Sequence, residues 1–194
     1  MLKVAIVILA YLIGSIPFSY LVSRRFGDID IRTRGSGNVG ATNVLRTTGL
    51  KYALLAVAGD IAKGALAAWL GLVLGGQVLA STCGAAAVIG HSWPVYLGLR
   101  GGKGVATSAG VLLVLVPKVA LALLVIFVIT VALLRLVSVG SLVAAIANPV
   151  MVAVLYGSVP LVIMALVLSA IVIWRHQSNI ERLRRGSEPK LGKG

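Results

Sequence analysis

The stretch RTRGSGNVGATNVLR, residues 32–46, sets Arg32, Arg34 and Arg46 around Gly35, Gly37 and Gly40 and contains no acid. Glycines at this spacing let successive backbone N–H groups turn into one concavity. A helix starting behind them adds its dipole, and the combination suits an anion. Ser36, Asn38, Thr42 and Asn43 supply further polar groups, and Arg46 a planar fork of donors that matches phosphate. The expected chemistry is phosphate binding. Two familiar phosphate loops are nevertheless excluded. Gly35, Gly37 and Gly40, with Asp60 following, imitate a dinucleotide fingerprint, but that motif needs a preceding strand and an apolar run stands there instead. Residues 35–42 imitate a nucleoside-triphosphate loop, but Ala41 occupies the place of its lysine.

A second loop, GHSWPVYLGLRGGKGVATS (90–108), repeats the pattern: Gly101, Gly102 and Gly104 bracket Lys103, with Thr107 where a helix begins and His91 just before the loop. A third polar region, RHQSNIERLRRGSEPK (175–190), places His176 and Asn179 three apart, hence on one helix face. Arg184, Arg185, Lys190 and Lys193 suit contact with anionic lipid. His176 and Glu181 form an H-x4-E pair, which resembles the H-x4-D box of glycerolipid acyltransferases. Asp60 and Lys63, again three apart, predict an ion pair inside an apolar segment. Ser138 and Ser141 are expected in a short loop, and Asn148-Pro149 at a kink.

The elements that must position these residues are membrane spans. The chain has 194 residues, of which 59% are hydrophobic and 12% charged, and a mean hydropathy of +1.03. Its apolar residues fall in long runs, read as seven spans at 4–22, 53–75, 78–98, 102–116, 119–134, 140–156 and 159–174. The apolar stretch 105–134 is read as two spans, because a proline and a lysine at 117–118 suit a turn and one helix would be roughly 45 Å long against a core of about 30 Å. With the N-terminus outside, the inner loops hold fifteen Lys and Arg, counted with Lys193, and the outer loops only Lys3 and Lys118. That asymmetry is the positive-inside pattern. It accounts for much of the formal charge of +13 without nucleic acid as a partner. The expectation is an all-α membrane protein: a seven-span bundle, one domain over 1–194, N-terminus outside and C-terminus cytoplasmic, with its polar loops on the cytoplasmic side. The single cysteine, Cys83, precludes an internal disulfide, and the first apolar run is read as a retained span rather than a signal peptide.

The motifs GSGNVGATNVLR, GDIAKG, GHSWPVYLGLRGGKGVAT and RHQSNIERLRRGSE, in this order, resemble the bacterial acyl-phosphate:glycerol-3-phosphate acyltransferase family over essentially the whole chain. The resemblance implies a multi-pass inner-membrane enzyme that moves a fatty acyl group from acyl phosphate to the 1-hydroxyl of glycerol 3-phosphate. The products are lysophosphatidic acid and phosphate, and no cofactor, metal or nucleotide is used. It implies that Gly35, Ser36, Gly37 and Asn38 hold phosphate with Asn43 and Arg46 beside them. It further implies that Gly102, Lys103, Gly104, Ser141, His176 and Asn179 complete the site, with Lys103, His176 and Asn179 catalytic. The residues leave the base open among His176, His91 and a substrate phosphate. A transporter or flippase of a phosphorylated molecule is the alternative; bare outer turns and the lack of an inverted repeat weigh against it.

Overall fold

The computed structural model describes residues 1–192; Lys193, counted above among the inner charges, lies outside the described residues. All regular structure among them is helical: α1 Leu2–Ser15, α2 Phe18–Gly27, α3 Ala41–Thr48, α4 Leu50–Ser92, a 3-10 turn Val95–Leu97, α5 Val105–Leu115, α6 Pro117–Leu134, α7 Val137–Tyr156, α8 Val159–Arg175 and α9 Gln177–Arg184. Four stretches are long and apolar enough to cross a membrane (α1 with α2, α4, α6 and α7), and α8 with α9 makes a fifth bent by 54°. The protein is therefore an integral membrane helical bundle.

The 43-residue α4 is not one rod. Gly75 and Gly76 leave helical geometry, Gly76 with φ +70°. A Cβ placed on Gly71 would collide with the backbone of Ala80, although nine residues along a straight helix span about 13 Å. The chain thus reverses at Gly75-Gly76, a hairpin of two antiparallel legs, 50–74 and 77–92. These correspond to the expected segments 53–75 and 78–98, the second ending early at Ser92 because the loop to Gly104 begins there. The expected break near Pro117 is present: Val116 is non-helical and Pro117 opens α6, where its missing N–H costs nothing. The helix before it is shorter than 102–116. At eleven residues, α5 is about 16 Å long. In the first segment Ile16-Pro17 separates α1 from α2.

Small residues let these helices approach. Gly14 faces the backbone of Ala87 and Gly90 that of Tyr11, which seats α1 on the second leg of α4. Gly64 faces Thr107 while Gly110 faces Ile61, which seats α5 on the first leg. In lipid, where apolar burial drives little association, such close packing is a main adhesive. Val88, Val111, Val116, Val119, Leu161, Met164 and Leu168 fill the core between α4, α5, α6 and α8. Asn148 ties α7 to α8, its Nδ2 donating to Ala165 O and Ser169 Oγ at 3.2 Å each. Leu121, Leu124, Val125, Val128 and Leu133 of α6 remain exposed, as a lipid-facing surface requires.

The two ends of the bundle differ. At one, the turns are minimal, and Ser158 Oγ donates to Gln77 Oε1 across two of them. At the other, the polar loops meet: Arg175 donates to Gly102 O at 3.0 Å and Gly101 O at 2.7 Å.

Candidate active site

The loop between α2 and α3 closes around Asn43, which is 2% exposed. Its Nδ2 donates to Ile31 O, Arg34 O and Asn38 O at 3.0–3.1 Å, and its Oδ1 accepts from Ser36 N at 3.0 Å. Gly35 (φ +58°) and Gly37 (φ +67°) take the left-handed turns this wrapping requires. Gly37 N donates to Arg34 O and Gly40 N to Asn38 O. The N–H groups of Ser36, Gly37 and Gly40, three of those the sequence reading assigned to an anion, are thus spent inside the loop. What the loop presents is the Ser36 hydroxyl, the Asn38 amide, the first turn of α3 and the exposed Arg46, which forms no ion pair among the described residues.

The glycine loop before α5 follows the same rule. Gly101 N donates to Ser92 O and Gly102 N to His91 O, while both glycine carbonyls accept from Arg175. Gly102 lies so close to the His91 ring and Val39 O that no Cβ would fit. Again the backbone is used for stitching, and the loop offers Lys103 and the start of α5. Gly104 makes the turn into that helix at φ +82°.

The α8–α9 bend completes the site. His176 is 2% exposed, and its Nδ1 lies 2.7 Å from Val172 O. A carbonyl only accepts, so the proton sits on Nδ1 and Nε2 keeps its lone pair. Asn179 accepts from Lys103 Nζ at 2.5 Å and donates to Glu188 Oε1 at 2.6 Å. Glu181 does not join His176 as an H-x4-E pair would. It pairs with Arg185 at 2.6 Å on the exposed side of α9, because five residues at about 3.6 per turn carry the carboxylate roughly 140° around the helix from His176. Ser141 lies in the first turns of α7 rather than in a loop, its hydroxyl donating to Val137 O at 3.0 Å.

Burial and charge tune these groups. Burial pushes Lys103 down to about 8; Glu188 resists the shift, while Arg182, Arg46 and Arg175 add to it. Burial, with the Lys103 charge, pushes His176 down to about 4, against the opposing bond to Val172. Burial tends to raise Glu188, but hydrogen bonds from Asn179 and Arg182 outweigh it and hold the carboxyl below its usual range. Near neutrality Lys103 is mainly charged, His176 neutral and Glu188 ionised.

Two cavities share these residues. The larger, about 360 Å³, has Ser36, Asn38, Arg46, Lys103, His176, Asn179 and Arg182 at its polar end. It continues past Ser141 between α5, α6 and α7 along Leu112, Leu123, Leu124, Phe127 and Ala145. The smaller, about 310 Å³, is polar and lined by Ser36, Asn38, Lys103, Arg175, Gln177, Ser178 and Arg182 with Trp174. Every site residue inferred from sequence belongs to these cavities or to the loops that shape them. Arg175, Arg182 and Glu188 were missed as site residues. The available signal for Glu188 was one acid in an otherwise basic tail. The predicted Asp60–Lys63 pair is present at 2.8 Å, buried beneath the loops, with His91 Nδ1 at 3.4 Å and Lys63 Nζ donating to Ile16 O at 2.7 Å. His91 thus braces the loop from below while also lining the larger cavity.

A cavity that is cationic at one end and apolar at the other, inside a helical membrane protein, fits the class that handles phosphorylated amphiphiles. The comparisons narrow that class. Residues 4–186 match the family of glycerol-3-phosphate acyltransferases, and the chain belongs to it. A glycerol-3-phosphate acyltransferase of Syntrophomonas wolfei is 49% identical over 191 residues, covering 98% of each chain. One of Thermoanaerobacter pseudethanolicus is 43% identical over 192 residues, covering 99% of this chain and 97% of its own. The crystal structure of PlsY (YgiH), an integral membrane glycerol 3-phosphate acyltransferase, superposes with a TM-score of 0.95 at 38% identity in its glycerol 3-phosphate form, covering 99% of this chain and 96% of that one. Its lysophosphatidic acid form superposes at 0.93.

Proposed function

We propose that the protein transfers a fatty acyl group from acyl phosphate to the 1-hydroxyl of glycerol 3-phosphate, giving lysophosphatidic acid and phosphate. The observation that carries this reading is the junction of the two cavities at Ser36, Asn38, Lys103 and Arg182. One cavity suits a small, wholly polar phosphate ester, and the other a phosphate joined to an apolar chain. A related structure known in a glycerol 3-phosphate form and a lysophosphatidic acid form supports the same pairing of substrate and product.

In this reading, glycerol 3-phosphate sits in the polar cavity against Arg175 and Arg182, with Arg46, Ser36 and Asn38 at the junction. The acyl chain lies along Leu112, Leu123 and Phe127. The substrate hydroxyl oxygen attacks the acyl carbon, the bond from that carbon to the phosphate oxygen breaks, and phosphate departs with the electron pair. Lys103 gains interaction as charge builds on the departing group, which is where a fixed cation lowers a barrier. Neutral His176 accepts a hydrogen bond from the hydroxyl at Nε2 and orients it. With its pKa near 4 it is a weak base, whereas the departing phosphate gains basicity as the bond breaks, so phosphate takes the proton. Asn43 acts through the loop it ties together, and Ser141 lines the passage from head to chain. Acyl phosphate is already activated, so positioning and charge stabilisation suffice and no acyl-enzyme is needed.

The bundle crosses the bacterial inner membrane seven times as one domain, through α1–α2, both legs of α4, α5, α6, α7 and α8, with the N-terminus outside and the site facing the cytoplasm. The basic loops gathered at one end and the bare turns at the other support this orientation. The test is turnover by purified protein in detergent with glycerol 3-phosphate. Acyl phosphate should support lysophosphatidic acid formation and acyl-CoA should not; turnover with acyl-CoA alone would overturn the donor assignment.

A further inference from the structure

The C-terminal tail brings an acid into a site otherwise built for anions. Beyond α9 the chain turns at Gly186 (φ +67°) and runs back toward the α6–α7 turn, where Leu191 N donates to Arg135 O at 2.7 Å. Between these points Glu188 enters the larger cavity, its side chain only 6% exposed. Its Oε1 accepts from Asn179 Nδ2 at 2.6 Å and its Oε2 from Arg182 Nε at 2.7 Å. Asp60, the other acid of that cavity, is already matched by Lys63.

An amide side chain is nearly symmetric in shape, and its two ends are told apart only by their partners. Asn179 has an acceptor-only carboxylate on one side and a donor-only ammonium on the other. Its nitrogen must face Glu188 and its oxygen Lys103. We propose that Glu188 is a positioning residue for the transfer step: acting through Asn179 it fixes the Lys103 ammonium, and its charge keeps that ammonium protonated among the surrounding arginines. This rests on the reading of Lys103 as the cation of the step. The charged and titratable groups around Lys103 are Glu188, Arg182, Arg46 and Arg175, together with His176. Glu188 is the only acid among them. The direction of its influence on Lys103, opposite to burial and to the three arginines, agrees with this role.

The test is the pH profile of kcat/KM for the full-length protein with acyl phosphate and glycerol 3-phosphate. Activity that needs charged Lys103 falls as pH rises through its pKa, near 8 in the wild type. Losing a neighbouring negative charge lowers that pKa, so Glu188→Gln should move the alkaline limb to lower pH by on the order of one unit. Activity at pH 8 should fall severalfold more than at pH 6. Glu188→Asp, which keeps the charge, should leave the limb near its original position. A uniform loss at every pH with the limb unmoved would overturn the proposal. Lys103→Arg, which cannot deprotonate, should abolish the limb; a limb that survives it would instead overturn the reading of Lys103 itself. Should Glu188→Gln not fold, Arg182→Gln reads the same field from the other side. Removing a cation should move the limb to higher pH, and an unmoved limb there overturns the proposal.

Discussion

The Lys103 ammonium and the Asn179 amide oxygen meet at 2.5 Å, although 76 residues separate them in the chain. One stands on the glycine loop before α5 and the other on the short helix after α8. Arg175, donating to the carbonyls of Gly101 and Gly102, holds the same two segments together from behind. The site is thus a joint between two loops in which the N–H groups of Ser36, Gly37, Gly40, Gly101 and Gly102 are spent within the fold.

Loss of that joint should be read in kcat. Asn179→Ala removes the acceptor that fixes Lys103 and takes from Glu188 Oε1 its donor, leaving the carboxylate held by Arg182 alone of these two partners. A charge-assisted contact contributes about 1.5–3 kcal/mol, so steady-state kinetics should show kcat reduced on the order of ten- to a hundredfold. Unchanged kcat with a raised KM would place the contact in ground-state binding instead.

Arg46 is exposed at the cavity mouth, as a residue that receives a diffusing anion should be. Arg46→Ala should raise KM for glycerol 3-phosphate on the order of ten- to a hundredfold with kcat largely kept. Arg46→Lys should recover little, because an ammonium cannot make two parallel bonds to one phosphate. Full activity in Arg46→Lys would show that only its charge matters.

Asn43 should reveal itself through stability as well as turnover. Asn43→Ala takes the side-chain donor from Ile31 O and the acceptor from Ser36 N, at about 1–3 kcal/mol for each buried group left unpaired, while Arg34 O and Asn38 O keep the N–H groups of Gly37 and Gly40. A lower melting temperature in detergent, together with a raised KM for glycerol 3-phosphate, is the expected pair of changes. A raised KM at unchanged melting temperature would make Asn43 a direct ligand.

The glycine-rich polar loops were legible in the sequence because they interrupt a chain that otherwise reads as lipid-soluble, and Asp60 with Lys63 was legible from helical spacing alone. What the loops do with their backbones was not. Whether the N–H of Ser36 or Gly102 faces a ligand or a neighbouring carbonyl depends on where Asn43 and the end of α4 lie, and spacing does not encode that. The segment 102–116 was overextended for a related reason: Gly102 and Gly104 are apolar by composition, yet they belong to a turn. Glu188 escaped notice because its partners are reached only when the tail folds back to Arg135.

His176 should behave as a positioning group. It is neutral above about pH 4, so it contributes no limb between pH 5 and 8. His176→Ala should lower kcat on the order of ten- to a hundredfold while the profile over that range keeps its shape, and His176→Asn should recover part of the loss. An acidic limb that vanishes on substitution would make His176 the base.

Orientation is open to chemical labelling. In a Cys83→Ala background, single cysteines at Gln77 and Lys118 should react with an impermeant thiol reagent applied outside intact cells. Cysteines at Arg34 and Lys190 should react only after the membrane is breached. The reverse pattern would invert the bundle.

The central claim is acyl transfer with cleavage of the bond between the acyl carbon and the phosphate oxygen. The most direct measurement supplies purified protein with glycerol 3-phosphate and acyl phosphate carrying ¹⁸O at the oxygen bridging carbon and phosphorus. The account predicts lysophosphatidic acid free of the label and one labelled oxygen in each phosphate released. No lysophosphatidic acid, or label retained in the lipid, would contradict it.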